Sequence, residues 1–363
     1  MLAKGIFYGL YKPVFRMPAK ISVENVRLFG VASDVSKLIQ GHDVEIIKVY
    51  FSRETPIEEM CEKLGKPDII IAGSIITYDR ELFRRLPRLK AVIRWGVGYD
   101  NIILEDATRE GVIVSRLPPH LLNDAVAEQT VALMLSLLRK IPQAHEFVKK
   151  GGWRIGSNLN EFERLVGESL EDKVIGFIGL GAIGFRVLEL IKPLRPRLIL
   201  VYDPYISRDF IRLSGAVAVS SIDELLAYSD IITIHAPLTV ETEKLLSMEQ
   251  FKKMKKGVYI INTARGKIID TDALLWALEN GIVKAAALDV FDPEPIPPDH
   301  PILKMENVIL TPHIAFATSK TCKMMDEYAI EEALRILRGE KPLWILNPEV
   351  LKRDNLRAKI RVG

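Results

Sequence analysis

The run VIGFIGLGAIG, residues 174–184, is compatible with few folds. An apolar, partly β-branched stretch leads into Gly179, Gly181 and Gly184 in G-x-G-x-x-G spacing, and a helical pattern, AIGFRVLELIKPL, follows directly. A buried strand that turns tightly into a helix opens a βαβ unit of a parallel sheet. Gly179 is expected to permit the turn and Gly181 to let backbone approach a pyrophosphate. Gly184 would let the helix pack closely on the strand, with the helix N-terminus facing the phosphates. The next strand ends at Asp203, 24 residues beyond Gly179. Its carboxylate would accept hydrogen bonds from the adenosine ribose hydroxyls and repel a 2′-phosphate, which favours NAD over NADP. The alternative is that Asp203 only caps the turn at Pro204.

The rest of the chain supplies strands in the same style. Residues 5–9, 44–50, 68–73 and 90–96 read as a first series. A second series comprises 111–115, 174–179, 198–203, 231–237, 258–264, 285–290 and 307–313. These are too many for one small sheet, and 363 residues suit two domains. The expected fold class is therefore α/β with two doubly wound parallel-sheet domains. The longest helical pattern runs over residues 123–152, capped by Asn123 or Asp124 and interrupted near Ile141 by Pro142. A C-terminal helix is expected at roughly 318–338, stopping at Gly339.

Composition excludes several functions. Hydrophobic residues at 48% and charged residues at 27% describe a globular chain. The net charge of +3 comes from residues 351–363, which hold five Lys/Arg and one Asp. The body is near neutral, so no nucleic-acid partner is expected, and the basic tail reads as a frayed terminus. Cys61 and Cys322 are isolated, so neither a disulfide framework nor a metal site is expected, and a reducing cytoplasm is the default. No secretory leader is indicated. No uninterrupted apolar run approaches the roughly 18 residues of a membrane span, so no membrane partner is expected.

In a doubly wound sheet, ligands lie outside the carboxyl ends of the strands. Three complementary groups are placed there: Arg265 after VYIINTA, Asp289 and Glu294 in ALDVFDPEP, and His313 after NVILTP. Such a set suits reduction of a small 2-keto acid to a 2-hydroxy acid. Arg265 can clasp a carboxylate bidentately and polarise the adjacent carbonyl. His313 can give or take the hydroxyl proton, with Glu294 on its other nitrogen favouring the imidazolium form. His235 also ends a strand but has no matching carboxylate, and a structural or cofactor-flanking role is expected for it. The mid-chain glycine turn, the absence of Tyr-x-x-x-Lys after it and the lack of clustered Cys exclude the L-type lactate, short-chain and zinc alcohol dehydrogenases.

The segments GFIGLGAIG, YDP, HAPLT, NTARG, ALDVFDPEP and TPHIA, in this order, resemble the D-2-hydroxyacid dehydrogenase family. With RWGVGYDNI and AVAEQTVALML upstream, the resemblance covers residues 66–349. It implies a flavodoxin-like substrate domain (1–103 and 314–349) with an inserted Rossmann NAD-binding domain (104–313), leaving 350–363 as the tail. It implies Arg265, Glu294 and His313 as the catalytic trio. Cofactor contacts would come from Ala182, Ile183, Asp203, Ala236, Pro237, Thr263, Ala264, Arg265, Asp289, His313 and Thr130, with Asp289 on the nicotinamide carboxamide. Substrate contacts would come from Ser74 and from the backbone of Val97 and Gly98. A homodimer through helix 125–151 is also implied.

In phosphoglycerate dehydrogenases of this family the position of Gly73 is commonly Arg, a phosphate ligand, and its absence argues against that substrate. Phe316 and the NPEVL ending look more like D-lactate dehydrogenases and the C-terminal-binding-protein branch. That branch offers the alternative function, an NADH-sensing dimeric scaffold with little turnover.

Overall fold

The computed structural model describes residues 18–154 and 159–361. The strand expected at 5–9 lies outside the described residues. Two compact units are present, one running to Leu117 and resuming at Met325, the other spanning Pro118–Met324.

The first unit holds a five-stranded sheet of β1 (Ala19–Glu24), β2 (Val44–Val49), β3 (Ile69–Ala72), β4 (Ala91–Arg94) and β5 (Ile113–Arg116), in the order β2-β1-β3-β4-β5. Every pairing is parallel, which is the flavodoxin-like order. The runs IIIA in β3 and AVI in β4 are buried on both faces, as a sheet covered on two sides requires.

The second unit holds β6 (Val174–Ile178), β7 (Leu198–Tyr202), β8 (Val217–Ala218), β9 (Ile231–Ile234), β10 (Val258–Asn262), β11 (Val283–Leu288) and β12 (Val308–Leu310). Their order is β12-β11-β10-β9-β6-β7-β8, again all parallel. This is the Rossmann arrangement extended by one strand, with its switch point between β6 and β9.

Several expectations shift. Residues 111–115, assigned above to the second series, form β5 and pair with β4. Backbone pairing therefore carries the first unit to Leu117 rather than 103, and the second unit continues to Met324 rather than 313. Strand β1 was not anticipated, because Lys20, Ser22 and Glu24 break its apolar pattern. Ser22 and Glu24 are nevertheless buried. The Ser22 hydroxyl donates to the Leu64 carbonyl at 2.9 Å, while Glu24 accepts from the Tyr78 hydroxyl at 2.8 Å and from Gly73 N–H at 3.1 Å.

The long helix is two helices. A 3-10 turn, Pro119–Leu122, precedes Asn123–Leu138, so neither Asn123 nor Asp124 is the cap; Leu122 holds that position without a side-chain bond. Lys140, at φ +52°, then breaks the chain direction, and Ile141–Lys149 starts anew with Pro142 in its first turn, where no N–H is required. Residues Pro119–Leu138 are long and apolar enough to cross a membrane by length and composition, but Asp124 and Glu128 interrupt the apolar run and half of the stretch is buried. Ala127, Leu133, Met134, Leu137 and Leu138 join Ile175, Phe177 and Val187 in one core.

The C-terminal helix spans Ser319–Arg338 and ends at Gly339, φ +81°. The tail is not frayed through residue 361. Val350 and Ala358 are buried, and Arg357 N–H donates to the Gly111 carbonyl at 3.0 Å. The Arg357 guanidinium donates to the carbonyls of Phe83 and Leu86 at 3.1 and 2.8 Å.

Candidate active site

Because β12, β11, β10, β9, β6 and β7 are successive neighbours pointing one way, the loops at their carboxyl ends form one continuous rim. In that order the rim presents His313, then Asp289 and Glu294, then Thr263–Arg265, then His235–Pro237, then the glycine turn, and last Asp203.

At the β6 end, Gly179 has φ +88°, a conformation that favours glycine. A Cβ on it would meet Ala236 N at 2.9 Å, so the β6 turn lies directly against the β9 loop. A Cβ on Gly184 would come 2.8 Å from the Gly179 carbonyl oxygen. Gly181 differs: nothing lies within 4 Å of a Cβ there. Gly181 is also the N-cap of the helix Ala182–Ile191, so open space adjoins that helix's N-terminus. Asp203 both caps and clamps. One carboxylate oxygen accepts Leu180 N–H of the glycine turn at 2.8 Å, and the other accepts Tyr205 and Ile206 N–H at 2.9 and 3.2 Å.

At the other end, His313 Nδ1 lies 2.5 Å from Glu294 Oε1. Burial pushes the Glu294 carboxyl up, but the His313 hydrogen bond and charge, with Phe291 N–H and the Arg265 charge, outweigh it and leave the group below its ordinary value. Arg265 thus acts electrostatically on Glu294, the carboxylate that the His313 ring touches. Its guanidinium also donates to the Ala264 carbonyl at 2.7 Å.

His313 itself sits at φ +54°, a strained value for a side chain of this size. The turn is held by Asp289, whose carboxylate accepts from the Thr311 hydroxyl at 2.5 Å, Ile314 N–H at 3.0 Å and Ala315 N–H at 2.8 Å. Its carbonyl accepts His313 N–H at 2.8 Å. Asp289 is buried, and burial raises its carboxyl above the ordinary value despite these bonds.

The Thr130 hydroxyl pairs with that of Thr263 at 2.8 Å and donates to the Val126 carbonyl at 2.7 Å. The His235 imidazole lies 2.9 Å from the Thr233 hydroxyl, and burial pushes it down to about 3. It stays neutral at physiological pH, which suits a structural role. Ser74, Val97 and Gly98 lie in the first unit, just beyond β3 and β4. Cys61 and Cys322 are free thiols, and among the described residues no His/Cys/Asp/Glu group is placed to hold a metal ion.

Comparison with known proteins gives this rim a family. Residues 131–315 match the model of the D-isomer specific 2-hydroxyacid dehydrogenase NAD-binding domain. A glyoxylate reductase of Thermofilum pendens is 39% identical over 84% of this chain and 89% of its own length. The chain belongs to the D-isomer specific 2-hydroxyacid dehydrogenase family. A D-3-phosphoglycerate dehydrogenase of Archaeoglobus fulgidus is 40% identical over 82% of this chain, which spans only 54% of that longer protein. A crystal structure of a Thermus thermophilus protein superposes with a TM-score of 0.78 at 30% identity, covering 90% of this chain and 99% of the other.

As an NAD-dependent dehydrogenase of this family, the protein has a glycine turn that fits its cofactor. The left-handed Gly179, the open space over Gly181 and the N-terminus of Ala182–Ile191 make a cradle that a side chain at 181 would enter. Two residues beside Arg265 on this rim were missed in the sequence, Asn262 and Gly266. Asn262 Oδ1 accepts Ala264 N–H at 3.0 Å and its Nδ2 donates to the Arg265 carbonyl at 2.9 Å. A Cβ on Gly266 would stand 2.0 Å from the Phe291 carbonyl, so the Arg265 turn is pressed onto the start of the Glu294 loop. The available signal was their position flanking TAR in NTARG.

Proposed function

We propose that the protein interconverts a small, unphosphorylated 2-keto acid and its D-2-hydroxy acid, with glyoxylate the leading substrate. The observation that carries the reading is the 2.5 Å contact of His313 with Glu294, in the field of Arg265. NAD(H), when bound, supplies or accepts the hydride. Arg265 pairs with the substrate carboxylate and polarises the neighbouring carbonyl. His313 donates a proton from Nε2 to the forming alkoxide, or removes the hydroxyl proton in the other direction. Glu294 on Nδ1 orients the ring and stabilises its charged form.

The preference for an unphosphorylated acid is supported by Gly73. A Cβ there would stand 2.8 Å from the Glu24 carbonyl and 2.9 Å from that of Asn25, so this position has no room for the basic phosphate ligand common in phosphoglycerate dehydrogenases. Coverage of 89% of the glyoxylate reductase points the same way. Purified protein with NADH should reduce glyoxylate, pyruvate or hydroxypyruvate faster than phosphohydroxypyruvate. A preference for phosphohydroxypyruvate would refute the substrate class, and no turnover of any of the four would refute the reaction.

We also infer a homodimer joined across residues 125–151, which fall in the two helices Asn123–Leu138 and Ile141–Lys149, supported by the exposed Ile141 and Val148 and by Trp153 just beyond them. Light scattering on the purified chain tests it, and a monomeric mass would exclude it.

A further inference from the structure

We propose that Asn262 is a positioning residue for Arg265, its side-chain amide setting the direction of the guanidinium by bracketing the turn that carries it. The inference rests on the reading above, in which Arg265 clasps the substrate carboxylate.

Asn262 is the last residue of β10 and is 1% exposed. Its amide oxygen accepts Ala264 N–H at 3.0 Å, and its amide nitrogen donates to the Arg265 carbonyl at 2.9 Å. Its own backbone carbonyl accepts Asp289 N–H at 2.9 Å. One residue thus joins the Arg265 turn to the exit of β11, which leads into the Glu294 loop.

Packing alone does not fix the turn. Gly266 is pressed against Phe291, but the turn also borders a cavity lined by Asn262, Gly266, Ile269, Leu274, Phe291 and Ile302. The two amide bonds of Asn262 add to the backbone bonds of the turn, in which the Arg265 and Gly266 carbonyls accept Ile268 and Ile269 N–H at 3.4 and 3.0 Å. A primary amide suits this geometry because it donates from one end and accepts at the other. An aspartate of the same size would turn an acceptor toward the Arg265 carbonyl and add a buried charge. A displacement of the clasping group by ~1 Å costs on the order of 100-fold in rate.

The test is a double-mutant cycle on the full chain, with Asn262→Ala and Arg265→Lys alone and together. Each variant is assayed for glyoxylate reduction, for NADH affinity by fluorescence, and for affinity of oxamate, an unreducible 2-oxo carboxylate, in the NADH complex. Asn262→Ala is expected to lower kcat/KM and weaken oxamate by about 10- to 100-fold, with NADH affinity within about 2-fold. In the Arg265→Lys background it should cost less than about 3-fold more, because the group it aims is already gone.

Equal losses in both backgrounds, or a parallel loss of NADH affinity, would overturn the inference and leave Asn262 a general support of the fold. Asn262→Asp, which keeps the volume, replaces the alanine variant in the cycle if that one does not fold, with the same expectations. If Arg265→Lys alone leaves kcat/KM and oxamate affinity unchanged, the assignment of Arg265 fails, and the positioning role fails with it. If Arg265→Lys is impaired but neither Asn262 variant is, the positioning role fails alone.

Discussion

His313 Nδ1 and Glu294 Oε1 are 2.5 Å apart, and the histidine is held at φ +54° by a turn that Asp289 closes. In the proposed reaction, a pair built this way commits one ring nitrogen to the carboxylate and leaves Nε2 for the substrate. His313→Ala should therefore lower kcat by about 10²- to 10⁴-fold while NADH affinity, read by fluorescence, stays nearly intact.

Glu294→Gln keeps the shape of the pair and removes its charge. Protonated imidazole is then costlier in the variant, so the pH range of fast keto-acid reduction should retreat toward acid. The pH profile of kcat/KM measures this, and an unshifted profile would mean that Glu294 orients the ring without stabilising its charge. The folded-state carboxyl of Glu294 lies below its ordinary value. Its contribution to stability is therefore present above the unfolded value and is lost as pH falls through the folded one.

The glycine turn separates folding from binding. Gly181 lies at φ −63° with open space where a Cβ would go, so Gly181→Ala should leave Tm unchanged. The methyl would still enter the cradle, and NADH affinity should fall by about 10-fold or more. Gly184→Ala drives a methyl within 2.8 Å of the Gly179 carbonyl and should cost about 1–3 kcal/mol in urea titrations. Matching effects on Tm in the two variants would contradict this division.

Much of this rim was legible in the sequence, because parallel strands deliver all their outgoing loops to one edge. Once 258–264, 285–290 and 307–313 read as strands, Arg265, Glu294 and His313 had to emerge together. What escaped was polar burial. Strand β1 reads as half-solvated, yet Ser22 and Glu24 are inside because Leu64, Tyr78 and Gly73 supply their partners. Asn262 and Gly266 escaped for a similar reason: their effect lies in bonds and close approaches to backbone that spacing does not display. Asp289 has a structural part that spacing does not display: both its carboxylate oxygens accept bonds from the Thr311–Ala315 turn.

Glu168 gives a prediction about acid. Burial raises its carboxyl, but hydrogen bonds from Lys173, Lys284 and the Tyr259 hydroxyl win and bring it down to about 2 from an ordinary 4.5. The side chain is 28% exposed, so after discounting for solvent screening the cluster contributes about 2 kcal/mol near neutrality. Glu168→Gln should lower Tm by about 4–8 °C at pH 7. Because the folded value is depressed, the difference between variant and parent should shrink as pH falls from about 4.5 toward about 2. A gap that stays constant over that range would assign the loss to packing.

The basic tail gives the last prediction, and it opposes what its charge suggests. Leu86 ends the short helix Arg80–Arg85, and its carbonyl and that of Phe83 take the Arg357 guanidinium at 2.8 and 3.1 Å. A cation at a helix C-terminus, bonded to its last carbonyls, is stabilising by both the bonds and the helix dipole. Arg357 Nη2 also lies 3.7 Å from Glu110, whose carboxylate already pairs with Arg80 and Arg84 at 3.0 Å each. Arg357→Ala should cost about 1–3 kcal/mol, lowering Tm by roughly 3–10 °C. Arg357→Lys should recover only part of that, since an ammonium cannot span two carbonyls as a planar guanidinium does. Removing residues 350–363 should cost more, because it also strips Val350 and Ala358 from the first unit. Glyoxylate KM below the new Tm should be unchanged in all three. A truncated chain with the parent's Tm would mean that the tail's contacts carry no stability.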